Sequence, residues 1–318
     1  RQSLMRFGCY LPTRGPVAEP AALAKFVQEA ERLGFDSVMI ADHIAFPTKV
    51  ESPYPYTVDG SFPGQGDALE QLTLASFVAA KTEKLRLVTS VMILPHRNPV
   101  VCAKMLACID VLSQGRLTVG CGVGWMREEF EALDTAPFDD RGAVSNEYIE
   151  IFQKLWTEEA PSHDGRFYQF KDLQCLPHPV QKPYPPIWIG GHSRPALRRA
   201  AKYGDGWHPV GAVDASPLLP DEFQAKVSEL RQLTAAEGRD PDALDISLKA
   251  PVYDTNAGTT TSGARRYFTG AAEQIADDIR LYQTMGVGEM VFDFRSSSLT
   301  ESLERMNDCA SGVMDLMR

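Results

Sequence analysis

The pattern of apolar and polar positions along the chain alternates between two spacings. Short, nearly continuous apolar runs are followed by longer stretches in which apolar residues recur every three or four positions. Residues 5–11 form the first such run, and Leu23, Phe26 and Ala30 then mark one face of a segment that ends at Gly34. Because the first spacing is typical of buried strands and the second of amphipathic helices, the pattern predicts a strand followed by a helix.

The same alternation continues to the end of the chain and predicts eight strand–helix units. The strands are predicted over residues 5–11, 37–41, 85–91, 116–121, 187–190, 206–210, 245–250 and 289–294. The helices are predicted over residues 20–33, 68–82, 99–113, 126–156 with a break near Pro137, 195–202, 218–237, 271–285 and 299–317. Apolar strands flanked by helices indicate parallel strands buried on both faces. Eight such units without a change of composition favour a closed barrel over an open doubly wound sheet, so we predict a single α/β domain over residues 1–318, a (β/α)8 TIM barrel with insertions.

Two segments do not fit the repeat. Residues 44–67 follow the second strand and are rich in proline, glycine and tyrosine; residues 158–186 contain a predicted hairpin between His163 and Phe170 and the run PHPVQKPYPP. We predict that both are insertions that help to build the mouth of the barrel, since long loops between barrel units commonly form active sites and lids. Surface insertions without a function are the alternative. Residues 1–4 precede the first strand, and we interpret them as a short extension or a tag remnant.

Composition excludes several classes of function. The chain is 44% apolar and 23% charged, as is usual for a globular protein, and its net charge of −10 without a basic cluster argues against nucleic acid as a partner. No apolar run approaches the length of a membrane helix. Six cysteines without metal-ligand spacing indicate reduced thiols, so we expect a cytoplasmic protein. The scattered histidines and the absence of metal motifs argue against metal catalysis.

Candidate chemistry lies where predicted strands end. Asp42 and His43 follow the second strand, where polar side chains would face the mouth of a barrel, and an imidazole there can exchange a proton near neutral pH. A hydrogen-bonded capping pair is the alternative. Thr89, Ser90 and Val91 end the third strand and predict nothing specific by themselves.

Glycine-rich turns end the fourth and fifth predicted strands, and another leads into the sixth. The run GCGVGW over residues 120–125 permits a close approach of a ligand, but it lacks the spacing of the dinucleotide fingerprint. Gly190 to Ser193 lead into a predicted helix whose free amides could bind a phosphate, with an ordinary helix cap as the alternative. Trp207 and His208 follow a further glycine, and they could contact a ligand or belong to the core.

Taken together, six segments resemble the luciferase-like monooxygenase superfamily, and within it the coenzyme F420-dependent LLM-class oxidoreductase branch. They are LPTRGP, AERLGFDSVMIADH, SPYPYTVDGSFP, TEKLRLVTSVMILPHRNPV, LSQGRLTVGCGVGW and PPIWIGGHSRPALRRAAKYGDGWHP, and they run through most of the chain. The resemblance implies a luciferase-like barrel with an insertion after strand seven or nearby. It also implies a cofactor, coenzyme F420, which is a 5-deazaflavin, with FMN or FMNH2 as the alternative.

The resemblance assigns roles to individual residues. Ser90 and Val91 would form a bulge with a non-prolyl cis peptide against which the ring of the cofactor leans. Asp42 would contact the polar edge of the ring, and His43 would carry the proton at its reactive carbon. The remaining cofactor contacts would hold the phosphate or line its tail: Gly190, Gly191, His192 and Ser193 at the phosphate, and Val123 and Gly124 along the tail.

One position departs from the pattern of a related branch. Sugar-phosphate dehydrogenases of the superfamily carry a glutamate directly after the strand-four G-x-G, and Trp125 stands there in this chain. Glu128 and Glu129 lie one helical turn further on, and we do not expect them to reach the same place. A small apolar or aromatic substrate is therefore favoured over a phosphorylated sugar. The expected substrate pocket consists of Tyr54, Tyr56, Phe62, Trp125, Trp207 and His208.

The leading hypothesis is hydride transfer between coenzyme F420 and a small organic substrate, in either direction, with His43 giving or taking the proton. The alternative is an FMNH2-dependent monooxygenase that uses O2, because both cofactors carry a phosphate and a tricyclic ring. A catalytically inactive flavin-binding barrel is a further alternative. Apolar positions such as Val101, Met105 and Ile109 leave open whether one helix face is buried in the core or in a homodimer.

Overall fold

The computed structural model of the chain describes residues 4–64 and 66–318, so the predicted extension over residues 1–4 lies almost entirely outside the described residues. Eight parallel strands form a closed barrel, in which the third strand continues after a short interruption as β4. These strands are β1 (Arg6–Tyr10), β2 (Ser37–Ile40), β3 (Arg86–Thr89) with β4 (Met92–Ile93), β5 (Leu117–Gly122), β8 (Ile187–Gly190), β9 (Gly206–His208), β10 (Asp245–Val252) and β11 (Glu289–Asp293). Pairing of β1 with β11 and of β3 with β5 closes the sheet, which confirms the predicted barrel.

Helices between the strands cover the outside of the barrel. They are α1 (Pro20–Leu33), α2 (Gln71–Lys81), α3 (Pro99–Leu112), α4 (Arg127–Leu133), α5 (Arg141–Thr157), α6 (Arg194–Tyr203), α7 (Pro220–Ala236), α8 (Ala272–Thr284), α9 (Leu299–Cys309) and the final turn α10 (Asp315–Met317). Local signals set their ends. In α1, for example, Glu19 accepts a hydrogen bond from the Ala22 amide, and Gly34 ends the helix with φ of 87°.

Two predicted helices differ from the observed ones. The stretch predicted over residues 126–156 consists of α4 and α5, because Asp134 ends α4 with φ of 49° and Pro137 follows. A short 3-10 helix over Phe138–Asp140 leads directly into α5. The helix predicted over residues 299–317 passes from α9 through a π-helical turn, Ala310–Met314, into α10.

The inserted segments occupy different places. Residues 44–67 follow β2 at the carboxyl ends of the strands, whereas residues 158–186 connect α5 to β8 and pack outside α3 and α5. The latter contain the predicted hairpin, formed by β6 (His163–Asp164) and β7 (Gln169–Phe170). A further long connection, residues 253–271, follows β10, the seventh barrel strand, where the resemblance implies an insertion.

The inside of the barrel is layered. At the amino ends of the strands, the buried carboxylate of Glu289 accepts hydrogen bonds from Ser37 Oγ at 3.0 Å and Ser247 Oγ at 2.7 Å. Above it lies an apolar layer made of Met39, Val88, Trp188 and Val291. This layer closes the barrel beneath its carboxyl-terminal mouth, so a cavity inside the barrel must lie above it.

The outer face of α3 combines buried and exposed apolar residues. Ile109 is buried in the core and Met105 is half-buried, whereas Val101 is exposed. Within residues 4–64 and 66–318, no helix has both the length and the apolar character required to cross a membrane.

Candidate active site

A cavity of about 690 Å³ opens at the carboxyl ends of the barrel strands. Its volume lies in the range of small-molecule sites. Each of the eight strands, or the residues directly after it, contributes to the lining: Tyr10, Ala41, Ser90, Gly122, Gly190, Val210, Lys249 and Asp293. None of the described residues of the segment 158–186 is among the lining residues. The expectation that this segment helps to build the mouth was therefore wrong, because it precedes β8 rather than following a strand.

The wall of the cavity projects inward at Ser90 and Val91. The peptide bond between them is cis, as the resemblance implies. Gly122 and Gly190 leave the room that the Val91 side chain needs, because a Cβ atom on either would lie 2.5 or 2.9 Å from a Val91 methyl carbon. Val91 thus presents an apolar surface to the cavity, flanked by two glycines.

Ser90 is held from behind by His208. The Ser90 Oγ–His208 Nε2 distance is 3.0 Å, and the distance from His208 Nδ1 to the carbonyl oxygen of Ser247 is 3.0 Å. A carbonyl can only accept, so Nδ1 carries the hydrogen and Nε2 accepts from the serine hydroxyl. Burial and the nearby Lys249 lower the pKa of His208 well below its usual value, which keeps the ring neutral.

Asp42 lines the cavity, but its oxygens are already engaged. Oδ2 accepts from the Ile93 amide at 2.9 Å and from Arg97 at 2.7 Å, while Oδ1 accepts from Arg97 at 2.9 Å. Burial by itself lowers the pKa of Arg97, but the pairing with Asp42 raises it overall. Asp42 therefore ties the end of β2 to the segment that follows β4, and its contact with a ring stays a prediction.

His43 forms a buried pair with Glu129 of α4. The distance between His43 Nδ1 and Glu129 Oε2 is 2.9 Å, and the Glu129 side chain is fully buried. Burial raises the pKa of Glu129, but hydrogen bonds from His43 and the Ile44 amide hold it below its ordinary value overall. Glu129 does not line the cavity among the described residues, yet it reaches His43 from behind, a contact that sequence analysis missed.

The neighbouring Glu128 anchors the inserted segment over residues 44–67, which we call the mouth insertion. Its Oε1 accepts from the amides of Glu51 at 2.6 Å and Ser52 at 2.9 Å, and its Oε2 accepts from the Ser52 hydroxyl. Burial by itself raises the pKa of Glu128, but these hydrogen bonds together lower it to about 2. The two consecutive glutamates of α4 thus hold two parts of the segment that begins at His43.

Aromatic side chains of the mouth insertion enclose His43. The ring of Trp125 lies 5.1 Å from Tyr54 and 5.3 Å from Phe62, and Phe62 lies 5.6 Å from His43. All three line the cavity, as does Tyr56. They create an apolar enclosure around the imidazole, in the region where the sequence predicted the substrate pocket.

Trp207 and His208, which the sequence also assigned to that pocket, do not line the cavity. Trp207 packs against Phe223 of α7 at 5.6 Å and donates to the carbonyl of Gly191 at 2.7 Å. His208 lies inside the barrel beneath Ser90. The assignment of these two residues to the substrate pocket therefore does not agree with their positions.

Another part of the cavity lining, which we call its cationic end, contains two arginines. Gly191 and Ser193 at the start of α6 line it together with Arg141 and Arg199. Arg199 is only 8% exposed and donates to Asn146 Oδ1 at 2.6 Å. In the described part of the chain neither arginine forms an ion pair with a carboxylate, and burial lowers the pKa of Arg199. Such an end fits a phosphate group.

The other residues predicted for the cofactor divide between the cavity and its surroundings. Val123, Gly124 and Gly190 line the cavity, whereas His192 lies outside it, with its Nδ1 atom 3.5 Å from Ser216 Oγ. Sequence analysis missed Arg199. Its position three residues after Ala196, on the same buried face of α6, is the signal that could have revealed it.

Lys249 is a second functional candidate that the sequence did not reveal. Its side chain lines the cavity and is only 5% exposed, and burial lowers its pKa to about 7. Nζ has no hydrogen bond or ion pair to any described residue. A lysine within the otherwise apolar run LKAPV of β10 is the signal that could have found it.

Across residues 4–64 and 66–318, no group of three or more histidine, cysteine, aspartate or glutamate side chains is placed to hold a metal ion. The six cysteines are all free thiols, and five of them are buried.

A barrel with a cis-peptide bulge, an imidazole after its second strand and two arginines in its cavity is compatible with a cofactor-dependent oxidoreductase. Comparison with known proteins agrees. The family profile of the luciferase-like monooxygenases matches residues 5–257, and the chain belongs to this family. Named relatives of the chain include monooxygenases, and the protein is an oxidoreductase of this family.

Individual relatives cover most of the chain. An uncharacterized protein of Mycobacterium tuberculosis is 31% identical over 283 residues, which span 87% of this chain and 96% of that protein. An FMNH(2)-dependent dimethylsulfone monooxygenase of Pseudomonas putida is 30% identical over 207 residues, 64% of this chain and 53% of that one. Among solved structures, an F420-dependent secondary alcohol dehydrogenase in complex with an F420-acetone adduct aligns over 98% of this chain and 99% of that one, with a TM-score of 0.74 and 15% identity.

Proposed function

We propose that the protein transfers a hydride between coenzyme F420 and a small organic substrate, with His43 as the group that gives or takes the accompanying proton. The observation that carries this proposal is the position of His43. Its Nδ1 atom is held by Glu129 at 2.9 Å, and its other nitrogen, Nε2, has no hydrogen-bond partner among the described residues. His43 lines the cavity, so Nε2 is available to a substrate there.

The cavity fits a flat ring that carries a phosphate. Val91 offers an apolar surface for one face of the ring, and Gly122 and Gly190 beside it keep that wall free of further side chains. Arg141 and Arg199, with the first amides of α6, offer charge and hydrogen bonds to a phosphate. When bound, a deazaflavin supplies a ring carbon that accepts or releases a hydride.

The enclosure around His43 favours a small apolar or aromatic substrate. Tyr54, Phe62 and Trp125 surround the imidazole and limit the access of water. In the oxidation of an alcohol, the carbon loses a hydride to the cofactor while the hydroxyl loses a proton to His43 Nε2, which leaves a carbonyl compound. In the reverse direction the same nitrogen returns the proton to the oxygen.

A second candidate, an FMNH2-dependent monooxygenase that uses O2, is favoured by the 30% identity to the dimethylsulfone monooxygenase. Its cofactor also carries a tricyclic ring and a phosphate. The same apolar wall and cationic end would hold it.

Equilibrium binding of the two cofactors separates these candidates. Purified protein is titrated with F420 and, separately, with FMN, and binding is followed by quenching of ligand fluorescence. We expect F420 to bind at least about tenfold more tightly. We also expect Arg199→Met to weaken that binding about tenfold or more, because a charge-assisted hydrogen bond to the phosphate is lost.

The matched control is Arg198→Met, since Arg198 is the exposed neighbour of Arg199 on α6 and should not affect binding. Tighter binding of FMN would replace the leading proposal by the monooxygenase. Binding of neither cofactor would contradict both.

A further inference from the structure

We infer that Glu129 is a positioning residue that fixes the tautomer of His43, so that Nδ1 carries the hydrogen and Nε2 faces the cavity as a proton acceptor. The chemical use of this tautomer rests on the proposed function. The tautomer itself is a property of the unliganded protein and can be tested without a substrate.

The assignment follows from the chemistry of the pair. The two atoms lie 2.9 Å apart, which is hydrogen-bond distance, and Glu129 is fully buried. An ionised carboxylate has no hydrogen to give, so the shared hydrogen belongs to His43 Nδ1. A neutral imidazole with a hydrogen on Nδ1 has none on Nε2. The nitrogen that is left for the cavity is therefore an acceptor.

The Glu129 carboxylate cannot turn away from His43 without losing hydrogen bonds to the backbone. Its second oxygen, Oε1, accepts from the amides of Ile44 at 2.7 Å and Ala45 at 3.2 Å. These residues directly follow His43, so Glu129 orients the backbone that carries the histidine and the ring at the same time. Each oxygen of the Glu129 carboxylate thus has its own partners. A half-turn of the carboxylate would exchange two equivalent oxygens, and the imidazole would still face an acceptor.

His96 lies close to the same carboxylate but does not compete for it. Its Nδ1 atom is 3.8 Å from Glu129 Oε2, beyond hydrogen-bond distance, and its ring stacks edge-on against Phe130. Neither ring nitrogen of His96 has a hydrogen-bond partner within the described residues. Burial lowers the pKa of His96, so this ring is neutral at neutral pH and leaves the negative charge of Glu129 directed at His43.

Glu129→Gln distinguishes a positioning role from a merely structural one. A glutamine has one acceptor oxygen and one donor nitrogen. Its oxygen can still accept from the Ile44 and Ala45 amides, which places the NH2 group against His43 Nδ1. The imidazole must then accept at Nδ1 and carry its hydrogen on Nε2. The substitution therefore keeps the backbone in place and reverses the tautomer.

The test is made on unliganded protein labelled with 15N at histidine. Two-bond 1H–15N correlation spectra distinguish a protonated ring nitrogen from an unprotonated one, and the His43 signals are assigned by their disappearance in His43→Gln. At a pH where the ring is neutral, we expect Nε2 of the native protein to be unprotonated. In Glu129→Gln we expect Nδ1 to be unprotonated instead. Glu131→Gln, an exposed glutamate on the same helix, should leave the spectrum of His43 unchanged.

A native His43 with its hydrogen on Nε2 would overturn the inference, and this result needs no variant to fold. An unchanged tautomer in a folded Glu129→Gln protein would also overturn it. Failure of the proposed function is seen separately, in the cofactor titration, because neither spectrum depends on F420.

Discussion

Two histidine–glutamate pairs in this molecule have nearly the same geometry and different surroundings. His43 and Glu129 meet at 2.9 Å at the mouth of the barrel, and His163 and Glu147 meet at 3.0 Å outside α5. Both pairs are largely buried. His163 belongs to the predicted insertion over residues 158–186, and His43 directly precedes the one over residues 44–67. The two pairs differ in whether the second nitrogen of the imidazole has a hydrogen-bond partner.

In His163 that nitrogen is already used. Lys154 Nζ lies 3.4 Å from His163 Nδ1 and can only donate, so Nδ1 accepts and Nε2 gives its hydrogen to Glu147. The Glu147 carboxylate also accepts from the Phe167 and Tyr168 amides. All polar groups of this pair have protein partners, whereas Nε2 of His43 has none among the described residues. A polar atom left without a partner beside a cavity is what separates a candidate site from a structural contact.

The largest expected effect is on turnover, when the imidazole of His43 is removed and that of His163 serves as the control. His43→Gln should lower turnover about 10²- to 10⁴-fold, because general acid–base catalysis contributes on that scale, while the affinity for F420 changes less than a few-fold. The matched variant His163→Gln should leave turnover within about twofold. The measurement is the oxidation of a small secondary alcohol such as 1-phenylethanol, followed by the absorbance of F420. Equal turnover in the native protein and His43→Gln would remove His43 from the mechanism.

Stability should instead depend more on the outer pair than on the mouth of the barrel. The comparison is between Glu147, which holds the outer hairpin, and Glu128, which holds the mouth insertion. Glu147→Ala removes three acceptor contacts that hold the outer hairpin, so the free energy of unfolding should fall by about 2 kcal/mol without a change in KM. Glu128→Ala releases the mouth insertion at residues 51–52 instead. Its KM should rise several-fold and its stability should fall less, because the Glu51 backbone that it holds is exposed, whereas Phe167 and Tyr168 are half-buried. Thermal unfolding and steady-state kinetics of both variants check this, and equal effects on KM would contradict the distinction.

A smaller effect is expected at Lys249, whose Nζ atom has no hydrogen-bond or ion-pair partner among the described residues to offset its burial. Its pKa is about 7 in the folded protein and near 10.4 when unfolded, so between these values the unfolded chain binds more protons. The stability of the native protein should therefore rise with pH relative to Lys249→Met, by about 1 kcal/mol between pH 7.5 and 8.5.

Thermal midpoints of these two proteins at pH 7, 8 and 9 should converge as the pH rises, with Lys249→Met the more stable at pH 7. A constant difference across this range would show that Lys249 is not buried as an unpaired cation.

The sequence by itself determined the barrel and the location of its mouth. Strand and helix periodicity depend on neighbours a few residues apart, so all eight units could be predicted from local pattern. The positions of Asp42, Ser90 and Gly190 at strand ends follow from the same pattern, because the carboxyl ends of parallel strands meet on one side. The motif resemblance added the cis peptide at Ser90, which the structure contains.

Only the tertiary structure decided which groups meet. Glu129 is 86 residues from His43 in the chain, and no local spacing predicts that an α4 side chain reaches behind β2. Trp207 and His208 are adjacent, yet one packs against α7 and the other lies inside the barrel. Parallel barrel strands are apolar on both faces, so the sequence does not reveal which face a given residue occupies. These long-range contacts decide that both ring nitrogens of His163 have partners, whereas Nε2 of His43 has none among the described residues.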